Sequence, residues 1–235
     1  MWMIHPVLSE NVTVDNVNLD SPNGPNSDGV VPEPSRNVVI RNSRFNNGDD
    51  CTAIKSGRNA DGKRIDVPSE NVLVHDNHMR SGHGGGTIGS EMTGGVRDVV
   101  AENNTMSSPN LDRAPRVKTN PVRGGVVEHV YFRSNDVPEI GGEVIRVSFQ
   151  YEEGDADAHT PAVRDINLSD VHSVGGDFAL YLKGYERSPI SDVTVSESGF
   201  SDVGTPMELE HVENLRLDDV DINGEHYDET VNEGV

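Results

Sequence analysis

Short β-branched runs, each entered by a polar pair, recur along the whole chain. The clearest copies are Glu10-Asn11-Val12-Thr13-Val14, Arg36-Asn37-Val38-Val39-Ile40 and Glu70-Asn71-Val72-Leu73-Val74; looser ones start at Arg97, Glu128, Arg164, Ser191 and Glu213. Counted from Asn11, the steps are 26, 34, 27, 31, 36, 27 and 22 residues. A period in this range is the mark of a solenoid. Apolar and polar residues alternate within each run, so one strand face is buried and the other wet. Gly, Asn, Asp and Ser crowd the joints, where positive φ or Asx-turns are needed. No stretch sustains an apolar pattern at helical spacing. The pattern predicts stacked coils of short parallel strands, about seven or eight by the repeat count. A β-sandwich would instead show strand signals every ~8–12 residues and no self-similar unit of this length. Steps of unequal length imply insertions that project as loops, the plainest lying at 57–64.

The solenoid is one domain spanning residues 1–222, followed by a polar, acidic segment at 223–235 that is expected to be loosely ordered. The chain has 235 residues, 40 acidic against 19 basic, and a net charge of −21. Only four of the basic residues are lysine. A carboxylate-rich surface with arginine favoured over lysine fits a salt-adapted source, because at about 1 M salt the screening length falls to roughly 3 Å. The same charge excludes a nucleic-acid partner, which requires a basic face. No apolar run is long enough for a membrane-spanning helix, no signal peptide is visible, and the compartment is unassigned. The lone cysteine, Cys51, is expected to be a small buried residue. Met1-Trp2-Met3-Ile4-His5-Pro6-Val7 reads as the middle of a coil, so the chain is expected to lack the first coils and cap of a longer protein. A monomer is expected.

Four polar clusters follow one another at about one repeat: Asn26-Ser27-Asp28-Gly29, Gly48-Asp49-Asp50-Cys51, Gly82-His83-Gly84-Gly85 and Arg116-Val117-Lys118. Asp28 and Asp49 are 21 residues apart, and both Asp50 to His83 and His83 to Arg116 are 33. Each cluster therefore belongs to the next coil, and coils stack about 4.8 Å apart. Three carboxylates, an imidazole and a cation pair lining one groove are what cleavage of an anionic sugar polymer requires. Clustered carboxylates repel, which raises one pKa so that an acid and a base coexist. An arginine beside a lysine makes a carboxylate clamp. Taken singly, an Asp-Asp in a glycine-rich turn is turn chemistry and His83 a solvated loop residue. The ordered succession of all four clusters outweighs that reading.

From about Trp2 to Asn135 the chain resembles the polygalacturonases of glycoside hydrolase family 28. The likeness is densest in Gly48-Asp49-Asp50-Cys51, Ala53-Ile54-Lys55-Ser56-Gly57, Gly82-His83-Gly84, Gly89-Ser90-Glu91-Met92 and Arg116-Val117-Lys118-Thr119-Asn120. The resemblance implies a right-handed parallel β-helix that hydrolyses α-1,4-linked galacturonate with inversion and needs no metal or cofactor. It implies Asp49 as general acid, Asp28 and Asp50 as the pair that activates water, and His83 as the group that keeps the acid's proton. Asn26, Arg116 and Lys118 would bind substrate, Arg116 and Lys118 through the uronate carboxylate; Asn26 is expected to order the Asp28 turn or to be a stacked solenoid Asn. Glu91 is left open between a further groove acid and a structural partner. Ser27 and Val117 are mild departures from the family pattern. Pro115 would re-aim the clamp, and Gly84-Gly85-Gly86 would loosen the loop after His83. Two alternatives stand beside the hydrolase: a β-helix pectate lyase holding Ca²⁺ on the three acids, and a truncated chain that only binds polysaccharide.

Overall fold

The computed structural model describes residues 2–234 and is a right-handed parallel β-helix, as the repeat predicts. Its longest wall stacks Glu10–Asp15, Arg36–Arg41, Ser69–His75, Val96–Glu102, Val126–Ile140, Ala162–Val174, Ile190–Ser201 and Val212–Ile222, all parallel and in register. Each of the first seven of these strands opens one coil, and the eighth is followed by an antiparallel return strand.

The polar entry of every repeat has a backbone reason. Asn11, Asn37, Asn71, Asp98, His129, Asp165, Asp192 and Asn214 all have φ between 53° and 57°. Asn and Asp tolerate this left-handed conformation better than other residues with a Cβ. Their side chains also bond along the stack: Asn37 Nδ2 donates to Asn11 Oδ1 at 3.1 Å, and Asn71 Nδ2 to Asn37 Oδ1 at 2.6 Å. A second left-handed position follows each of the first four wall strands, at Asn16, Asn42, Asp76 and Asn103, and lies within each of the longer four, at Ser134, Asp170, Glu197 and Asp219.

Inside that second turn runs a buried amide ladder. Asn77 Oδ1 accepts the Ser43 N–H at 3.0 Å, Asn104 Oδ1 the Asn77 N–H at 3.1 Å, and Asn135 Oδ1 the Asn104 N–H at 3.0 Å. Their amide nitrogens donate to the carbonyls of Ile40, Val74 and Ala101. The coils are thus stapled where the chain turns, each rung pairing backbone groups at that corner. Between the walls lies a core of stacked aliphatics, with Phe45, Met79, Met92, Met106 and Phe149 buried at its edges.

Another wall carries Arg116 and Lys118, and the other three clusters lie just ahead of its successive strands or bridge. It stacks Thr52–Ile54, Gly86–Gly89, Pro115–Lys118, Glu143–Ser148, Phe178–Lys183 and Thr205–Glu210 in coils two to seven, with Val30 bridging to Thr52 from coil one. Val117 faces inward, while Arg116 and Lys118 on either side of it point to the groove.

Two segments differ from expectation. The insertion at 57–64 is not all loop: Asn59–Ile65 is a short helix, with Asp61 in its first turn and Lys63 and Arg64 in its last, which suits the helix dipole. The segment expected to be a loose tail from 223 is ordered, since Glu225–Glu233 pairs antiparallel with Val212–Ile222 and packs Tyr227 and Val231 on the core. Its acidic outer positions blunt the last edge of that wall; residue 235 lies outside the described residues. At the other end Met3, Val7 and Leu8 are exposed.

Candidate active site

The groove gathers the four clusters from four successive coils. One oxygen from each of Asp28, Asp49 and Asp50 lies within 4.8 Å of the other two. Asp28 and Asp50 are buried and Asp49 is partly open. His83 Nδ1 stands 3.2 Å from Asp49 Oδ1, its ring half-exposed to the groove.

Asp50 is the most enclosed of the three. Lys118 Nζ lies 2.7 Å from its Oδ2, while Arg116 Nη1 at 3.2 Å and the Thr87 hydroxyl at 3.0 Å bond its Oδ1. Gly84 leaves room for this, since a Cβ there would stand 2.3 Å from Thr87 Oγ1 and 3.1 Å from Asp50 Oδ1. Gly84 and Gly85 are therefore tight packing positions rather than a loosened loop: a Cβ on Gly85 would meet Met106 Sδ at 2.5 Å. Pro115 does not turn the clamp away. It starts the strand opposite Gly86, and both cations converge on Asp50.

Two cations and a tyrosine complete the site, and of these only Lys55 stands in a stretch that the family resemblance picks out. Lys55 is 3% exposed, donates to Glu91 at 2.5 Å and to the Gly89 carbonyl at 3.1 Å, and approaches Asp28 Oδ2 at 3.9 Å. The Trp2 ring lies 4.6 Å from the same ammonium. Glu91, left open by the sequence, is thus the counter-ion of Lys55. Tyr151 lies over the clamp, 5.2 Å from Lys118 Nζ and 5.9 Å from the Arg116 guanidinium. Its segment is tied down by Arg123, which is fully buried and bonds Glu152, Glu153 and Asn59. Nothing in the repeat singles out Tyr151 or Arg123. Asn26 is exposed with φ of 50°, and Ser27 orders the turn by bonding the Ser21 and Gly24 carbonyls.

The three carboxyls titrate apart. Burial is the largest influence on Asp28, assisted by the charges of Asp50 and Asp49, and pushes its pKa up to about 6 against the pull of Lys55. Burial acts on Asp49 too, but the His83 hydrogen bond and the Lys118 charge overcome it and bring that pKa down to about 2. For Asp50, burial is outweighed by Lys118 and Arg116, which hold it ionised. His83 is pushed up by its bond to Asp49. The carboxylates could ligate a hard cation, which takes several oxygens, yet Lys118 and Lys55 already supply positive charge beside them and would repel it. Cys51 is buried beside this cluster and its thiol is pushed well up, so it is inert.

The family model described as glycosyl hydrolases family 28 matches residues 3–224. The chain belongs to glycosyl hydrolases family 28. Within the family it is 28% identical over 206 residues to a probable polygalacturonase of Vitis vinifera, covering 83% of this chain and 40% of that protein. It is 30% identical over 187 residues to an exo-poly-alpha-D-galacturonosidase of Dickeya chrysanthemi, covering 75% of this chain and 30% of that one. The crystal structure of a hyperthermoactive exopolygalacturonase from Thermotoga maritima superposes with a TM-score of 0.96 at 40% identity, over all of this chain and 52% of that one. The chain thus spans about half the length of that enzyme, and less of the other two.

Proposed function

We propose that this protein hydrolyses α-1,4-linked galacturonate in pectin-type polyuronates. The observation that carries the proposal is the three-carboxylate cluster bracketed by Lys55, Arg116 and Lys118 in one groove. Such a site both recognises a uronate and supplies acid and base to its glycosidic bond.

In this reading Asp49 protonates the leaving oxygen, and Asp28 with Asp50 orients and deprotonates the attacking water. Asp28 Oδ1 accepts no hydrogen bond among the described residues, which leaves it able to accept one from that water. In the open groove the proton of the His83–Asp49 pair rests on the imidazole. A bound uronate drives water from the pair, and this desolvation favours the neutral form, moving the proton to Asp49. Arg116 and Lys118 turn part of their hydrogen-bonding capacity from Asp50 to the sugar carboxylate.

The family resemblance points to inversion. The carboxyl oxygens, within 4.8 Å of one another, stand closer than the ~6.5–9.5 Å usual for an inverting two-carboxylate pair. The anomeric configuration of the first product, followed by NMR, decides the matter. Likeness to the Thermotoga maritima and Dickeya chrysanthemi enzymes supports release of sugars from chain ends. The acidic exterior supports work at high salt. Incubation with polygalacturonate tests the whole reading: new reducing ends support it, and ultraviolet absorbance from unsaturated ends would replace it with a lyase. Insensitivity to EDTA is expected, and silence in both assays would leave a binding protein.

A further inference from the structure

Three of the four lysines in this chain stand in one row. Lys118 pairs in register with Ser148, and Ser148 with Lys183. On the other side Lys118 pairs with Gly89, whose carbonyl accepts from Lys55. The lysines therefore recur at every second coil, roughly 10 Å apart at ~4.8 Å per strand. The neighbouring row runs Arg116, Arg146, Tyr181. In a chain with 40 acidic residues and 19 basic ones, so regular a cationic track along one face is not a product of composition.

The far end of the track is built rather than loose. The Tyr181 ring lies between the Arg146 guanidinium, 4.3 Å from its centroid, and Lys183 Nζ at 4.9 Å. Phe178 braces that ring edge-on at 5.5 Å. Glu143 pairs with Arg146 and also with Arg113, while Lys183 bonds Glu208 at 3.1 Å and approaches Glu210 at 3.7 Å. Both rows then end in acid, since Tyr181 is followed by Glu208 and Lys183 by Glu210.

We propose that Arg146, one coil beyond Arg116 and Lys118, with Tyr181 and Lys183 on the coil after it, form a further uronate-binding position where the cationic track ends. The proposal rests on the polyuronate reading of the groove. A 1,4-linked pyranose polymer advances by about one strand spacing per sugar, so cations at two-coil intervals meet every second carboxylate in phase. The arriving carboxylate replaces Glu208 as the partner of Lys183. Glu208 and Glu210 are themselves partly exposed, so they can turn to solvent while repelling any longer extension of the polyanion.

The test is binding of α-1,4-oligogalacturonates of increasing length to the Asp49→Asn protein, measured by calorimetry without cleavage. Affinity is expected to step up once the oligomer reaches the second position, then level off. Lys183→Gln and Arg146→Gln should each remove that step, about tenfold for one charged contact, while leaving the shortest binders unaffected. Lys183→Arg should keep the step. Equal loss at every length, or no step in the parent, overturns the proposal. Turnover of polygalacturonate with the same length dependence in parent and Lys183→Gln overturns it while leaving the hydrolase reading intact. Length-stepped binding without any turnover sustains it and sinks the hydrolase reading alone.

Discussion

Lys118 Nζ stands 2.7 Å from Asp50 Oδ2, so the cation assigned to the substrate is also the counter-ion of a fully buried carboxylate. Arg116 shares this double duty at 3.2 Å. Removing either one leaves Asp50 with less compensation in a place where an unpaired charge is costly. In the proposed hydrolase, recognition and water activation are therefore coupled through one carboxylate.

That coupling separates KM from kcat in an Arg116→Ala variant. KM should rise far more on oligogalacturonides than on their methyl esters, because the ester removes the charge that is read. kcat should fall on both, because Asp50 loses a partner in either case. Molar salt should leave most of the KM difference in place, as expected of a direct contact and not of a screened surface charge. Equal KM changes on the two substrates would remove Arg116 from carboxylate recognition.

Activity should follow a bell-shaped pH profile. Asp28 works as a base only when ionised, and its pKa near 6 means that the ionised fraction grows as pH rises through that value. The rate is thus lost below about pH 6. The alkaline limb marks loss of the proton held by His83 and Asp49, whose imidazole is pushed up from its ordinary value. Lys55 lowers the Asp28 pKa, so Lys55→Met should move the acid limb of kcat/KM to higher pH. An unmoved limb would show that Asp28 does not set it.

Asp49→Asn should retain binding and lose turnover by about 10²–10⁴-fold, the usual contribution of a general acid. His83→Gln should lose less, and its alkaline limb should shift downward, because Asp49 then lacks the neighbour that supplies its proton. If Asp28→Asn alone abolishes the alkaline limb, the acid and base assignments exchange places.

Asn104→Ala cuts the interior ladder on both sides. It strands the Asn77 amide and the Val74 carbonyl in the core. At about 1–3 kcal/mol for each buried group left unpaired, the loss should exceed 2 kcal/mol in urea unfolding. Asn37→Asp, which keeps a residue suited to the left-handed backbone while removing the exposed donor to Asn11, should cost well under half as much. Equal costs would assign the staple to backbone pairing alone.

With a net charge of −21, thermal stability should climb as salt is raised from low to molar concentration, because screening relieves self-repulsion. A midpoint indifferent to salt would show that cross-coil pairs such as Arg36–Glu10 and Arg41–Asp15 already offset the repulsion.

The coil and its phase were legible in the sequence because a local requirement repeats. Each wall strand begins with a left-handed residue, and Asn or Asp marks nearly all of those positions. The helix at 59–65 escaped notice because seven residues give too short a window for helical periodicity. The strand at 225–233 read as tail because, on an outer edge, both of its faces are largely polar. Asp28, Asp49, Asp50, His83, Arg116 and Lys118 were found because they keep coil spacing. Lys55 keeps it as well, but no carboxylate neighbours it in sequence, and its partner Glu91 comes from the next coil. Tyr151 and Arg123 sit on insertions, where spacing carries no information.

The interior amide ladder also determines how far damage can spread. Each rung touches only the rung above and the rung below, so a lesion in one coil is felt by its two neighbours and fades beyond them. Groove loops can therefore be exchanged coil by coil during evolution while distant coils keep their shape. A groove built this way can be revised one rung at a time.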